Sequence, residues 1–283
     1  MYEILTNRSI IEVSGDDAMN FLHNLITNDI KNNDYCYSYA LTNQGRYLFD
    51  FFVLKLSATR FFIDININQS DLFKNHLVQY KLRAKIEMND LTTAYQVIYS
   101  KQQLPLNSYR DPRYNQLGFR SIINKDDFLT TTRIEGLYQQ DKYNFAIVDG
   151  YDDLIANRSI PIEYGAEELN AISYSKGCYI GQEVVSRTKY QGVVRKKIFK
   201  LSINIDSGNT GSLDIAKDDE IIANNTKIGV VCSAYQNMAI ALIRVDDYYS
   251  LADTVITVRN LPVSLAVPPW SYCSNKKYQE GTR

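Results

Sequence analysis

Apolar residues in the first part of the chain recur at two spacings, one typical of strands and one of helices. The stretch "RSIIEVSG" predicts a β-strand, and the two aspartates that follow it suit the first turn of a helix. One apolar helical face then follows at i, i+3, i+4, i+7 and i+8, formed by Ala18, Phe21, Leu22, Leu25 and Ile26. Beyond this helix, "YCYSYALT" and "RYLFDFFVLKL" flank "NQG", which predicts a hairpin with Gly45 at the positive φ of a tight turn.

Strand and helix patterns continue to alternate after the hairpin. "RFFIDIN" predicts a strand, "SDLFKNHLVQYKLR" a second amphipathic helix that begins at a Ser/Asp cap, and "AKIEM" and "TAYQVIYS" further strands. A loop with "DPRYNQLGFR" follows, and residues 141–157 show a helical rhythm that Gly150 interrupts. Because strands outnumber helices and hairpins occur, we expect an α+β fold rather than a doubly wound parallel sheet.

The pattern changes after Lys200 to short strand-like runs separated by turn residues. The runs are "KIFKLSI", "DEIIANN", "KIGVVCSA", "MAIALIRV" and "TVITVRN". Regularly spaced short strands without helices predict a small antiparallel barrel or sandwich. We therefore expect an α+β region over residues 1–192, made of two subdomains that divide near residues 90–100, and a C-terminal β-barrel over residues 193–283.

Charge and terminal sequence exclude several classes of protein. A formal net charge of -1 gives no overall attraction to nucleic acid, because such binding depends on many Lys and Arg contacts to phosphates. The first residues lack the pattern of a secretory signal or a transit peptide, and no apolar run approaches the roughly 18 residues that span a bilayer. We expect a cytosolic protein without membrane contact.

Metal-ligand and nucleotide-binding motifs are missing from the sequence. The four cysteines, Cys36, Cys178, Cys232 and Cys273, include no pair at CxxC spacing, and the chain has two histidines. Tetrahedral zinc and iron-sulfur sites usually draw ligands from closely spaced pairs, so we expect reduced thiols and no permanently bound metal. Phosphate loops, dinucleotide-binding glycine motifs, serine-hydrolase elbows and zinc-protease helices do not occur either.

The stretch "SYSKGCYIGQE", residues 173–183, is the strongest candidate for chemistry. Gly181 breaks an extended segment and "QEVVSRTKY" can begin a helix, so Cys178 lies just before a helix N-terminus. That position, with Lys176 nearby, favours the thiolate. Gly177 and Gly181 permit the close approach of a flat ligand or a redox partner. The alternative is a buried cysteine that fills space, as free cysteines often do.

A local run of basic residues lies where the two expected domains meet. Its members are Arg187, Lys189, Arg195, Lys196, Lys197 and Lys200. Most such runs in proteins are solvated faces of a helix or a strand, and we favour that interpretation here. The functional alternative is a binding surface for an anionic ligand tail or for RNA phosphate.

The octapeptide "KGCYIGQE" resembles the hallmark of the YgfZ branch of the folate-binding family that also includes the aminomethyltransferase (T-protein) of the glycine cleavage system. Nearly the whole chain shares the pattern. "VSGDDAMNFLHNLITNDI" is similar to the family's strand-helix opening, "LTNQGRYLFD" to its hairpin, and "YKLRAKIEM" and "DPRYNQLGFR" to two later segments. The octapeptide is specific to the YgfZ branch, whereas the other motifs are shared more loosely.

The resemblance implies a ring of ferredoxin-like α+β subdomains with a C-terminal antiparallel barrel, and a tetrahydrofolate or another reduced folate bound near the middle. It also implies a role in the assembly or repair of iron-sulfur clusters in client enzymes, including tRNA-modifying ones. The implied partners are iron-sulfur assembly proteins or their clients, with direct tRNA binding as a further option. The rival function is a tetrahydrofolate-dependent aminomethyltransferase, and the sequence does not decide whether the protein catalyses a reaction.

The resemblance carries the family's cysteine over to Cys178 as a reactive or ligand-contacting thiol. The residues implied to line or support the folate cavity are Asn28, Asp29, Gln44, Arg46, Arg120, Glu163, Lys176, Gly177, Tyr179, Gly181, Gln182 and Glu183. Asp29 is either a partner of the pterin ring or only a former of the turn after the helix. "LIANRSIPIEYG" is shorter than the loop that relatives usually carry there, which affects the folate contacts on that side.

Overall fold

The structure is a computed structural model, and it describes residues 1–127, 131–203, 215–251 and 254–274. The described residues form strands, α-helices and short 3₁₀ helices. The strands are β1 Tyr2–Ile4, β2 Arg8–Ser14, β3 Tyr35–Leu41, β4 Tyr47–Ser57, β5 Arg60–Asn66, β6 Glu87–Asp90, β7 Tyr95–Ser100, β8 Ser108–Arg110, β9 Phe119–Asn124, β10 Lys196–Ile203, β11 Glu220–Ala223, β12 Thr226–Tyr235, β13 Met238–Arg244, β14 Ile256–Val258 and β15 Leu261–Ala266. The α-helices are α1 Ala18–Leu25, α2 Ser70–Lys81, α3 Leu137–Asn144, α4 Gly150–Asp153, α5 Gln182–Gln191 and α6 Val245–Tyr249, and the 3₁₀ helices are Ile67–Gln69, Pro161–Tyr164 and Tyr272–Ser274.

A five-stranded antiparallel sheet forms the N-terminal part, in the order β3-β4-β5-β2-β6. Helices α1 and α2 cover one face, where Leu22 and Phe73 pack with Phe51 and Ile63 of the sheet. Because successive side chains of a strand point to opposite faces, Phe52 lies on the other side of the sheet. That second face is the one directed toward the rest of the molecule.

A four-stranded antiparallel sheet, β1-β7-β9-β8, packs against this second face. Phe62 of the first sheet, Tyr99 of the second and Leu137 of α3 share one buried cluster. The space between the two sheets is therefore closed by large apolar side chains, and any polar group that points into it must find a partner inside the protein.

The C-terminal strands close into a six-stranded antiparallel barrel in the order β10-β13-β12-β11-β14-β15. Phe199, Val231 and Ile243 are among the side chains that fill its interior. Closure leaves no unpaired sheet edge. The outer face of the barrel contributes Cys232 and Ile240 to a core shared with β3 and with residues 143–172.

These elements confirm the α+β fold with a C-terminal antiparallel barrel. The strand at residues 8–14, helix α1 and the hairpin of β3 and β4 form as expected, and Gly45 has a φ of +70°. Gly150 begins helix α4 instead of interrupting a longer helix. A Cβ at Gly150 would lie 2.2 Å from Oδ1 of Asp50, so that position accepts no side chain.

The barrel contains one strand that the sequence pattern does not predict. β15 includes Pro262, a residue that argues against a central strand because it cannot donate a ladder hydrogen bond. The first barrel strand begins at Lys196, and the domain boundary between residues 192 and 193 stays a prediction. In the described part of the chain, no helix has the length and apolar character needed to cross a membrane.

Candidate site around an exposed cysteine

The turn after α1, residues 27–29, is docked on the segment that leads into the cysteine motif. The Thr27 hydroxyl donates a hydrogen bond to the carbonyl oxygen of Ala171 at 2.6 Å. The Asn28 side-chain amide donates to the carbonyl oxygen of Asn170 at 2.7 Å. Both side chains are buried, so these bonds are shielded from water. The structure thus brings together two motifs that lie far apart in the sequence.

The hairpin turn at Gly45 packs against the start of α5. Gly181, the residue before α5, has a φ of +84°, and a Cβ there would lie 2.6 Å from the carbonyl oxygen of Thr42. A Cβ at Gly45 would lie 3.2 Å from Cβ of Val184. The close approach expected at Gly181 is therefore made by the protein's own hairpin turn.

Cys178 is exposed, whereas the other three cysteines, Cys36, Cys232 and Cys273, are buried. Burial raises the pKa of the Cys36 thiol to about 12, which makes it inert at neutral pH. Gly177 is also exposed, and a Cβ at that position would meet no atom within 4 Å. The space-filling alternative for Cys178 is therefore wrong, because its thiol lies at the surface.

Lys176 points away from the thiol. Its ammonium donates hydrogen bonds to the carbonyl oxygens of His23, Ile26 and Asn28. Since an ammonium has three N–H groups, none is left for Cys178 or for a ligand. From the sequence we expect Lys176 to act near the thiol, and the structure corrects this: its ammonium is bound to three carbonyl oxygens of the end of α1 and the turn after it.

Burial decreases along the residues after the cysteine, from Tyr179 to Glu183. Tyr179 is buried in the main core, and its hydroxyl finds no hydrogen-bond partner among the described residues. Gln182 is half-buried, and its side-chain amide donates to the Ser186 hydroxyl at 3.3 Å. Glu183 is exposed in the first turn of α5. Folate contacts by these residues stay predictions.

Asp29 forms the turn after α1, which is the alternative that the sequence left open for it. Its carboxylate accepts hydrogen bonds from the backbone amide of Lys31 at 2.9 Å and from the side-chain amide of Asn32 at 2.7 Å. Burial opposes ionisation of Asp29, but these hydrogen bonds outweigh it and lower the pKa of its carboxyl. A contact of Asp29 with a pterin ring stays a prediction.

Arg46, Gln44 and Glu163 lie along the hairpin side of the site. Arg46 donates to the carbonyl oxygen of Arg158 at 3.0 Å, and Gln44 is exposed at the tip of the turn. Glu163 belongs to the 3₁₀ helix Pro161–Tyr164. Burial raises the pKa of its carboxyl, although the charges of Arg46 and of two lysines of β10 act in the opposite direction.

Arg120 belongs to a different part of the molecule. It lies on β9 between the two sheets, where its guanidinium donates to the Asp64 carboxylate at 2.7 Å and covers the Phe52 ring at 4.1 Å. Arg8 binds the same carboxylate at 2.5 Å. Burial disfavours the charged guanidinium, but Asp64 outweighs this and raises the pKa of Arg120. The structure places Arg120 in this buried ion-pair group.

That group is part of a larger cluster of buried charges that sequence reasoning missed. Tyr37 and Tyr47 each donate a hydrogen bond to the Asp50 carboxylate at 2.9 Å. Arg113 is fully buried and pairs with Asp111 at 2.6 Å. The remaining ion pairs of the cluster are Arg113 with Asp149 and Lys142 with Asp149, Asp152 and Asp153.

A signal for this cluster is present in two strands. Asp50 in "RYLFDFFVLKL" and Asp64 in "RFFIDIN" are single carboxylates within apolar runs. A charge at such a position is buried, and buried charges are paired. The sequence does not show which of the many arginines and lysines is the partner.

A cavity of about 10 Å³ lies inside the cluster, bordered by Arg8, Asp50, Arg120 and Asp149 among others. Carboxylates and guanidinium groups match the polar edge of a pterin. The volume suits about one water molecule, whereas sites for small organic ligands hold about 300 Å³ or more. Nε of Arg120 has no hydrogen-bond partner among the described residues. A reduced folate does not fit this cavity in the conformation described.

Two protein-family models match separate parts of the chain. The model of the GCVT N-terminal domain matches residues 5–99, and that of the CAF17 C-terminal β-barrel domain matches residues 195–272. The first covers the five-stranded sheet with α1 and α2, and the second covers the closed barrel.

Three curated relatives are iron-sulfur cluster assembly factors by name. The iron-sulfur cluster assembly factor IBA57 homologue of Pyricularia oryzae is 30% identical over 70% of this chain and 56% of its own length. The homologue of Mycosarcoma maydis is 29% identical over 69% of this chain and 55% of its own length. The human IBA57 is 27% identical over 69% of this chain and 64% of its own length. The chain spans about half the length of the fungal relatives it matches.

The fold also matches a solved enzyme structure. The aminomethyltransferase T of the glycine cleavage system from Bartonella henselae superposes with a TM-score of 0.69 over 95% of this chain and 86% of that chain. The sequence identity is 13%, so the likeness is one of fold.

The comparisons also correct the expected location. The curated relatives named above are all described as mitochondrial, which contradicts the cytosolic location expected from the N-terminal sequence. They agree with the fold on architecture: a GCVT N-terminal domain is joined to a CAF17-type C-terminal barrel. The chain therefore combines a region that matches the GCVT N-terminal domain with a region that matches the CAF17 C-terminal β-barrel domain, and the relatives named above are described as iron-sulfur cluster assembly factors.

Proposed function

We propose that this protein assists the assembly or repair of iron-sulfur clusters and that Cys178 supplies the thiol for this work. The observation that carries the proposal is the exposure of Cys178, which contrasts with the burial of the other three cysteines. Exposed thiols are the ones that exchange, react or bind iron, whereas buried thiols are inert. The names of the curated relatives support the same activity.

A single thiol needs a partner for this chemistry. Iron-sulfur clusters are usually held by four protein ligands, mostly cysteine thiolates. Within residues 1–127, 131–203, 215–251 and 254–274, no three His, Cys, Asp or Glu side chains are grouped so that they could hold a metal ion. We therefore propose that an iron-sulfur assembly protein or a client enzyme supplies the other ligands. The octapeptide around Cys178 is our reason to assign the chain to the YgfZ branch.

Folate binding is a separate prediction, and the proposed function involves no folate-dependent step. The match of fold to an aminomethyltransferase supports folate binding. The cavity bordered by Arg8, Asp50 and Arg120 has a volume of about 10 Å³, so it must widen before a folate can bind there. Titration of 5-formyl-tetrahydrofolate and tetrahydrofolate into wild type and Cys178→Ala, followed by Trp270 fluorescence and by calorimetry, tests it. Trp270 is buried and bonded to the Phe145 carbonyl, so it reports on the core. No binding in either protein refutes the prediction.

Direct tRNA binding is the least supported partner. Lys189 pairs with Glu167 at 2.6 Å, and Lys197 pairs with Glu168 at 2.5 Å, so part of the basic run is neutralised within the fold. Phosphate contacts are strongest at low salt. A gel-shift assay with tRNA at low ionic strength therefore tests this partner, and no shift under those conditions excludes it.

The test of the main proposal is rescue of a Neurospora crassa strain that lacks its IBA57 homologue, a protein 30% identical to this chain over 69% of this chain and 52% of its own length. The chain is expressed with a mitochondrial leader, and the activity of iron-sulfur enzymes is divided by that of cluster-free mitochondrial enzymes. Wild type and Ser175→Ala, an exposed neighbour on the same loop, are expected to restore the ratio. Cys178→Ala is expected to leave it at the level of the strain without the gene. Full rescue by folded Cys178→Ala contradicts the proposal.

The rival activity, transfer of a methylene group to tetrahydrofolate, has its own assay. The substrate is a carrier protein with an aminomethylated lipoyl arm, and the product is 5,10-methylenetetrahydrofolate. We expect no turnover by this chain. Turnover that persists in Cys178→Ala would support the transferase and remove the reason to assign Cys178 the central role.

A further inference from the structure

Lys176 is a buried lysine, and the partners that its ammonium has among the described residues are all carbonyl oxygens. The residue is 8% exposed, and its ammonium donates to the carbonyl oxygens of His23 at 2.6 Å, Ile26 at 2.6 Å and Asn28 at 2.8 Å. The first of these carbonyls lies at the end of α1, where helical carbonyls lack intrahelical partners, and the other two belong to the turn that follows. A cation is favourable at this end of a helix.

The other buried lysines of the described residues are held differently. Lys142 binds Asp152 at 2.8 Å, and Lys197 binds Glu168 at 2.5 Å. Among the described residues, no carboxylate forms an ion pair with Lys176. Burial lowers the pKa of Lys176 to about 8, although the charge of Asp29 acts in the opposite direction. A buried ammonium without an ion pair is costly, and an apolar side chain would fill the space at less cost. What the apolar side chain lacks is the three N–H donors.

The exposed cysteine lies between two inward-pointing side chains. Lys176 and Tyr179 are both buried, and the Lys176 ammonium lies 5.2 Å from the centre of the Tyr179 ring. Gly177 and Cys178, between them, are exposed. The chain thus forms a two-residue arch whose ends are held inside the protein and whose outer part carries the thiol.

We propose that Lys176 is a positioning residue for Cys178, because its ammonium fastens one end of this arch to the end of α1. The contact joins groups that are 148 to 153 residues apart in the chain. The proposal rests on the proposed role of Cys178 in iron-sulfur assembly. Lys176 does not touch the reacting thiol; it keeps the backbone that carries the thiol in one place.

The test compares Lys176→Met and Lys176→Gln with Lys197→Met, a matched loss of a buried lysine from the barrel. Hydrogen exchange of the backbone amides of residues 173–181 is measured by mass spectrometry, and the Neurospora rescue is measured for the same variants. Loss of charged hydrogen bonds predicts about tenfold or more faster exchange in this segment for Lys176→Met, with Lys176→Gln intermediate because its amide has two donors. Rescue by the Lys176 variants is expected to fall in the same order.

Lys197→Met is expected to lower the thermal stability of the protein while leaving the exchange of residues 173–181 and the rescue as in wild type. If residues 173–181 of folded Lys176→Met exchange their amide hydrogens at the wild-type rate, the proposal is overturned. It is also overturned if Lys197→Met accelerates the exchange of these residues as much as Lys176→Met does. If neither Lys176 variant folds while Lys197→Met does, Lys176 stabilises the whole fold and the local role is refuted. The exchange measurement does not depend on iron-sulfur activity, so a failure of the role assigned to Cys178 is seen separately, as rescue by Cys178→Ala.

Discussion

Substitution of Gly181 by alanine tests how the hairpin turn supports the cysteine motif. Gly181 has a φ of +84°, a conformation that costs an L-residue about 1–2 kcal/mol. The new Cβ would lie 2.6 Å from the Thr42 carbonyl oxygen and 3.1 Å from Cα of Gly45, and such overpacking typically costs about 1–3 kcal/mol. Against this, alanine restricts the unfolded chain and returns about 0.4–1 kcal/mol. The free energy of unfolding is therefore expected to fall by about 1–5 kcal/mol.

Gly177→Ala is the matched control, because the same atom is added four residues earlier in the same motif. A Cβ at Gly177 meets no atom within 4 Å and its φ is not positive, so the change is expected to stay within about 0.5 kcal/mol. Urea denaturation followed by circular dichroism measures both variants. Equal losses of stability in the two variants, or no loss in Gly181→Ala, would refute the packing of the hairpin turn against α5.

Three further predictions follow from the buried charges and the cysteines. Asp64→Asn leaves the guanidinium groups of Arg8 and Arg120 buried without their carboxylate, so urea denaturation should show a loss of about 3–5 kcal/mol, and a loss near zero contradicts the pairing. The pKa values of Asp64 and Asp149 are lowered because cationic neighbours outweigh burial, so their contribution to stability is present above the ordinary aspartate pKa of about 3.9 and is lost as the pH falls below it. Thermal unfolding from pH 6 to pH 2 should show a decline that begins near pH 4, and a flat profile contradicts it. Native protein should react rapidly with Ellman's reagent at one thiol, which Cys178→Ala removes; a second rapid thiol in wild type contradicts the burial of the others.

Much of the fold follows from local pattern. The apolar face of α1 and the "NQG" turn predict a helix-hairpin unit because spacing and turn chemistry depend only on nearby residues. The barrel strands follow for the same reason. The local pattern does not predict β15 because Pro262 signals a break, whereas in the barrel Pro262 is paired with Thr257 of β14 and lies outside the register of β15 with β10.

The candidate site was predictable in its residue types and less so in its contacts. The glycines of the cysteine motif indicated close approach, but not that the carbonyl oxygen of Thr42 would be the group that approaches Gly181. Lys176 was expected beside the thiol, and only the folded chain shows its ammonium at the end of α1. Arg120 was grouped with the cysteine motif, although it pairs with Asp64 between the sheets. These contacts join residues far apart in sequence, which local patterns do not encode.

The most direct test of the central claim uses the thiol itself. Native protein is alkylated with iodoacetamide at Cys178, the exposed cysteine, and is added to a mitochondrial extract depleted of the endogenous IBA57 homologue. Incorporation of radioactive iron into iron-sulfur enzymes is then measured beside unmodified protein and Cys178→Ala. Unmodified protein is expected to restore incorporation, and the alkylated protein and Cys178→Ala are expected to leave it at the level of the depleted extract. Restoration by protein alkylated at Cys178 would contradict the assignment of this thiol to iron-sulfur assembly.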